Sequence, residues 1–139
     1  MNMSARVYDQ YRRTAIETVS PGKLLIMLYD GAIKNINTAI AAINNKDFNG
    51  AHNDIIKTQD IIVELMSTLN MDYDISKNLY SLYDYMMNRL IEANLNKDTA
   101  ILEEVGGFLR ELRDTWDQVV KQQGNTTSRT SAASLSVKG

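Results

Sequence analysis

Apolar and polar positions recur along most of this chain with the period of a helix. From Leu24 onward, a turn of about 100° per residue puts Leu25, Leu28, Tyr29, Ala32, Ile36, Ala39, Ile40 and Ile43 on one broad face, the pattern of an amphipathic helix. Its start is marked twice. Ser20 can accept a hydrogen bond from a free backbone N–H, and Pro21 suits the first helical position. Asn44-Asn45-Lys46 reads as its end, because asparagine tolerates the left-handed conformation that stops helices. Asp47 then caps a second helix with Phe48, Ala51, Ile55, Ile62, Leu65, Met66 and Leu69 inward, ending near Asn70. Asp74 caps a third, with Ile75, Leu79, Leu82, Tyr83, Met86, Leu90 and Ala93 on one face. After Asn94 to Lys97, Asp98 caps the last helix. Its residues Ile101, Leu102, Val105, Phe108, Leu109, Leu112, Trp116, Val119 and Val120 keep a near-heptad rhythm.

Helices joined by short turns favour antiparallel neighbours, since a short loop cannot carry the chain back to the far end. The expected architecture is an all-α, up-down-up-down four-helix bundle over residues 20–122. An N-terminal arm, 1–19, that can hold a short helix precedes it, and a flexible polar tail, 123–139, follows. The tail, rich in Ser and Thr, has no period and too little apolar surface to offset its ordering entropy. The 139 residues suffice for one core.

Charge narrows the partners. The net charge of −2 divides into +1 over Met1 to Val19, +2 after Gln122 and −5 between them. A mildly acidic body argues against nucleic acid, whose phosphates demand a clustered basic surface. No apolar run approaches the roughly 20 residues of a membrane span, nor does the N-terminus resemble a signal peptide. With no cysteine, a cytoplasmic protein that is not Sec-exported is the expectation.

Catalytic chemistry finds little support. Without cysteine and with His52 as the single histidine, neither a Cys-His pair nor a bundle-type di-iron set can be assembled, since the latter uses two histidines. His52 reads as a partly exposed or locally bonded side chain. Glu103 and Glu104 point about 100° apart and cannot converge on one atom, so they read as solvated acids at a helix start. No phosphate-cradling glycine motif occurs. The expectation is a non-enzyme without metal or cofactor.

The positive signal is surplus apolar surface. Leu24, Met27, Leu28 and Gly31 form a second row along the first helix; Tyr80, Met87 and Ile91, beside Tyr83, form one on the third; Ile56 and Val63 form a weaker one on the second. Grooves with aliphatic, methionine and tyrosine walls commonly dock an amphipathic helix or extended segment. Gly106-Gly107, inside the last helix, reads as a tolerated defect outside the Val105/Leu109 stripe.

Several short motifs carry a resemblance: Tyr8-Asp9-Gln10-Tyr11, Ser20-Pro21-Gly22-Lys23-Leu24 leading into Met27-Leu28-Tyr29-Asp30-Gly31-Ala32, Leu82-Tyr83-Asp84-Tyr85-Met86, Ala93-Asn94, Glu104-Val105, and Leu112-Arg113-Asp114-Thr115-Trp116. In this order, over about Tyr8 to Val120, the chain resembles the FliS family of flagellar export chaperones. The resemblance implies a cytoplasmic bundle, monomeric or weakly dimeric, that binds the disordered C-terminal segment of flagellin in apolar grooves. It further implies prevention of premature polymerisation, delivery to the export gate protein FlhA, and export-gate contact through Tyr8 and Tyr11. Other flagellar regulators are further candidate partners. Val19 stands where many members have a small residue, and the tail is outside the shared pattern. Two other readings compete: a structural or adaptor bundle that self-associates through the same strips, and a carboxylate-bridged metal protein, which the single histidine disfavours.

Overall fold

The computed structural model describes residues 21–130, with side chains as far as Gln122. Tyr8 and Tyr11 of the arm, the capping role of Ser20 and the end of the polar tail lie outside the described residues. Four helices follow one another: α1 (Pro21–Asn44), α2 (Phe48–Ser67), α3 (Asp74–Asn96) and α4 (Thr99–Thr130).

Their ends follow from local hydrogen bonding. Asp47 Oδ1 accepts from Gly50 N at 3.0 Å, and a Cβ at residue 50 would run into that carboxylate, so glycine leaves room for the cap. Asp98 Oδ1 likewise accepts from Ala100 N at 2.9 Å and Ile101 N at 3.3 Å. Asp74 does not cap α3. Tyr73 occupies the N-cap position in extended conformation without a side-chain bond, and Asp74 is the first helical residue, its charge facing the positive end of the helix. The left-handed stops are Lys46 (φ 62°) and Lys97 (φ 50°), not asparagines. Backbone bonds decide this: Asp47 N reaches Ala42 O at 2.7 Å and Lys46 N reaches Ile43 O at 2.9 Å, and Asp98 N reaches Ala93 O at 3.0 Å. That closure assigns the left-handed position to the residue after Asn45 and after Asn96. α4 runs to Thr130, past the boundary expected at 122. Adding residues to a formed helix needs no new nucleus, and no proline interrupts it.

The chain divides into two compact units. The larger, Met27–Leu112, is an all-α four-helix bundle whose core holds Leu28, Tyr29, Ala32, Ile36 and Ala39 from α1, Ala51, Ile55, Ile61, Ile62 and Leu65 from α2, Tyr83, Met86, Leu90 and Ala93 from α3, and Ile101, Leu102, Val105 and Leu109 from α4. Cross-helix neighbours set the directions. Gly31, early in α1, faces Ile61, late in α2; His52, early in α2, bonds Asn94, late in α3; Tyr85 of α3 meets Phe108 of α4, ring centroids 6.1 Å apart and nearly perpendicular. Each pair is antiparallel. Gly106 is buried on the α1 side of α4, where a Cβ would lie 3.5 Å from Ile36 Cγ2, so it belongs to the packed face and is no defect; Gly107 faces open space. Phe48 and Ile75, expected inside, are exposed at the first turns of α2 and α3.

Of the described residues, the smaller unit takes 21–26 together with 113–130. Within it, Gly22 permits close approach of α1 and α4, since a Cβ there would fall 2.6 Å from Val120 Cγ2. Asp117 receives Lys121 at 3.0 Å and Arg113 at 3.8 Å, one turn to either side.

Candidate functional site

α2 and α3 each bury one stripe and leave a second beside it uncovered. On α2, Ile55, Ile62 and Leu65 point into the core, while His52, Ile56, Gln59 and Val63 follow a parallel row turned away from it. On α3 the core stripe is Tyr83, Met86, Leu90 and Ala93, and the second row is Tyr80, Asp84, Met87, Ile91 and, on its outer flank, Leu95. Because the two helices are antiparallel neighbours, the rows form the walls of one outward-facing groove.

At one end this groove opens into a space of about 590 Å³ lined by His52, Ile56, Gln59, Ile91, Asn94, Leu95 and Lys97. Helix period continues it through Val63, Met87 and Tyr80 toward the other end. Its apolar side chains are uncovered: Ile56, Val63, Tyr80 and Ile91 are between 39% and 54% exposed, and Leu95 is 81% exposed. A polar relay closes the wide end. The Lys97 ammonium donates to Asn94 Oδ1 at 2.9 Å and to Asn94 O at 2.7 Å. Asn94 Nδ2 then donates to His52 Nδ1 at 2.9 Å. Lys97 thereby orients the amide so that its N–H, not its oxygen, faces the imidazole.

The sequence-derived groove residues separate into groups. Ile56 and Ile91 line the open space, and Val63, Tyr80 and Met87 continue the same two rows by helix period. Leu28 and Tyr83 do neither, being 5% and 2% exposed in the core. For these two the expectation is corrected: the stripe and the second row adjoin, and packing takes the residues at their border. Tyr83 also hydrogen-bonds Tyr29 through the two hydroxyls, and burial, then Tyr29, raises its phenol well above the ordinary range. Met27 and Gly31 lie on the larger unit's part of α1, with Gly31 toward Ile61, and Leu24 belongs to the smaller unit. Missing from the sequence-derived set were His52, Gln59, Asn94, Leu95 and Lys97. Leu95, one turn after Ile91, carried a readable signal; Asn94 and Lys97 passed as turn residues.

The other flank of α3 is bonded to α4. Glu104 accepts from Tyr85 Oη at 2.6 Å and from Arg89 Nε at 2.9 Å, while Arg89 also reaches Glu92 at 2.8 Å. The Tyr85 hydrogen bond, then that of Arg89, holds the Glu104 carboxyl below its usual range, and the bond to Glu104 raises the Tyr85 phenol. α3 is thus tied on one side and open on the other. Among the described residues no group of three or more acids and histidines could hold a metal, and no helix is long and apolar enough to cross a membrane.

The family model described as flagellar protein FliS matches residues 4–123. The flagellar secretion chaperone FliS of Bacillus subtilis strain 168 is 40% identical, over 84% of this chain and 87% of its own length. The proteins of the same name from Vibrio cholerae and Salmonella typhimurium are each 33% identical, over 85% and 84% of this chain and 91% and 88% of their own lengths. A solved structure described as a flagellar chaperone from bacteria superposes with a TM-score of 0.70 at 20% identity, covering 86% of this chain and 99% of that one.

Proposed function

The chain belongs to the FliS family of flagellar secretion chaperones, and from that premise we propose that its client is the C-terminal segment of flagellin, held in the α2–α3 groove. The observation that carries this reading is the groove itself: about 590 Å³ of uncovered space at its wide end, continued by exposed apolar side chains on both walls. A segment disordered when free loses conformational freedom on binding, and only a long apolar contact offsets that loss. Groove and client chemistry match on this point. Occupied in this way, the client is kept from polymerising and is passed in the cytoplasm to the export gate protein FlhA, with Tyr8 and Tyr11 in the gate contact. Holding requires no bond to be made or broken, so the reading includes no catalytic turnover; hydrolysis of ATP by the pure protein would contradict it.

Titration calorimetry with a synthetic peptide of the flagellin C-terminal segment from the same organism tests the assignment. Ile56→Glu or Ile91→Glu removes one apolar contact of about 1.5–3 kcal/mol, so affinity falls about tenfold or more, with an unchanged melting temperature because both side chains face outward. Affinity unaltered by both changes removes the groove from the reading. A mass that rises with concentration in the absence of any peptide heat would instead favour self-association through the same strip.

A further inference from the structure

The groove is apolar along its floor but not electrically uniform. Asp84 stands within the α3 row, and Asp60, exposed on α2, follows Gln59 on the outer flank of the opposite wall. Neither has an ion-pair partner among the described residues. Of the residues lining the wide end, Lys97 is the one cation, also without a carboxylate partner among the described residues; its ammonium bonds Asn94. Of the acids near that end in sequence, Asp47 and Asp98 are engaged as the caps of α2 and α4, Glu92 is paired with Arg89, and Asp54 is not among the residues that line the space. Acids at mid-groove and a cation at one end make the surface polar along its axis.

Lys97 is held there against backbone preference. Its φ of 50° is the left-handed conformation that glycine adopts freely and other residues adopt at a cost. A lysine at this position keeps an ammonium at the groove mouth that a glycine would not supply.

The rows also define the shape of the occupant. Spacings of three and four residues along both walls are those that seat a further helix. From Tyr80 to Leu95 the wall runs about 22 Å at 1.5 Å per residue, the length of a helix of about fifteen residues. The C-terminal end of a helix bears free carbonyls and partial negative charge, favoured beside a cation. We infer that the groove accepts an amphipathic client helix in one orientation, parallel to α3, with a carboxylate-bearing C-terminal end at Lys97 and basic side chains over Asp84 and Asp60. The inference deepens the flagellin-binding reading and rests on it.

Its test uses the full chain, 15N-labelled, with the flagellin C-terminal peptide carrying a nitroxide at one end or the other. The C-terminal label is expected to broaden the amides of Asn94 to Lys97, and the N-terminal label those around Tyr80. Lys97→Gly is expected to weaken binding about two- to fivefold at low salt, the size of an exposed charge contact, while leaving the melting temperature unchanged or raised, so lost binding is not lost folding. Loss of affinity on amidating the peptide assigns the carboxylate to its terminus; loss on neutralising its last acidic side chain assigns it there; indifference to both overturns the charge contact. A reversed broadening pattern overturns the orientation, and broadening confined to α1 or α4 overturns the groove assignment, both leaving client binding intact. Absence of any binding removes the client reading together with this one.

Discussion

Glu104 shows how one residue joins two helices. Its carboxylate holds the Tyr85 hydroxyl at 2.6 Å and the Arg89 guanidinium at 2.9 Å, and both bonds favour its charged form. A carboxyl held below its ordinary value contributes stability above the ordinary carboxylate range, near 4.3, and loses that contribution as pH falls through its folded value. Tyr85 and Tyr83 behave oppositely. Their raised phenols contribute fully below the ordinary value of about 10, and that contribution fades as pH rises beyond it. Tyr85→Phe is therefore expected to move the Glu104 titration upward toward the ordinary range, while Arg89 keeps it from arriving there; carboxyl 13C chemical shifts followed against pH would show it. An unmoved titration would mean that the tyrosine bond does not hold in solution. None of this was legible beforehand. In the sequence Glu104 was one of two solvated acids at a helix start, because a partner fifteen or nineteen residues away leaves no local pattern.

On the scale of a single helix, the paired glycines of α4 separate into two cases that sequence treats alike. At Gly106 a Cβ would meet Arg110 Nη1 at 3.3 Å and Ile36 Cγ2 at 3.5 Å, whereas at Gly107 it would meet nothing within 4 Å. Gly107→Ala is expected to stabilise the protein by about 0.5–1 kcal/mol, the helix-interior preference for alanine. Gly106→Ala gains less, because the end of the Arg110 side chain has to give way by a few tenths of an ångström. Urea unfolding of the two variants gives the comparison, and equal effects would contradict the close approach of Arg110 to residue 106. Helix starts were more readable: Asp47 and Asp98 cap as their sequence context indicates, since a cap involves only the next three residues. The left-handed stop of α1 falls at Lys46 and not at an asparagine, because the closing hydrogen bonds count back from the last turn and not from residue preference.

For the whole molecule, holding a client couples to stability. A ligand that binds only the folded state raises the melting temperature in step with its concentration. Peptide at about one hundred times its Kd is expected to add about 2.7 kcal/mol, and Ile91→Glu is expected to remove about half of that shift or more at the same peptide concentration while leaving the free protein's melting temperature in place. A scanning calorimeter reads both. An equal shift in the variant would place the peptide elsewhere than the α2–α3 groove.

Periodicity, caps and turn lengths were enough for the sequence alone to determine an all-α chain of four antiparallel helices and most of its core, because each of those signals acts over a few neighbouring residues. The short motifs spread over the chain likewise sufficed to indicate its family. Tertiary structure alone decided which surplus apolar residues remain uncovered. Leu28 and Tyr83 share the wheel positions of a groove wall, yet another helix covers each of them, whereas Ile56, Val63, Tyr80 and Ile91 stay exposed on two walls that face the same way. It also brought His52, Asn94 and Lys97 together from two helices and a turn. Burial depends on what lies across space, and no spacing along a single helix records that.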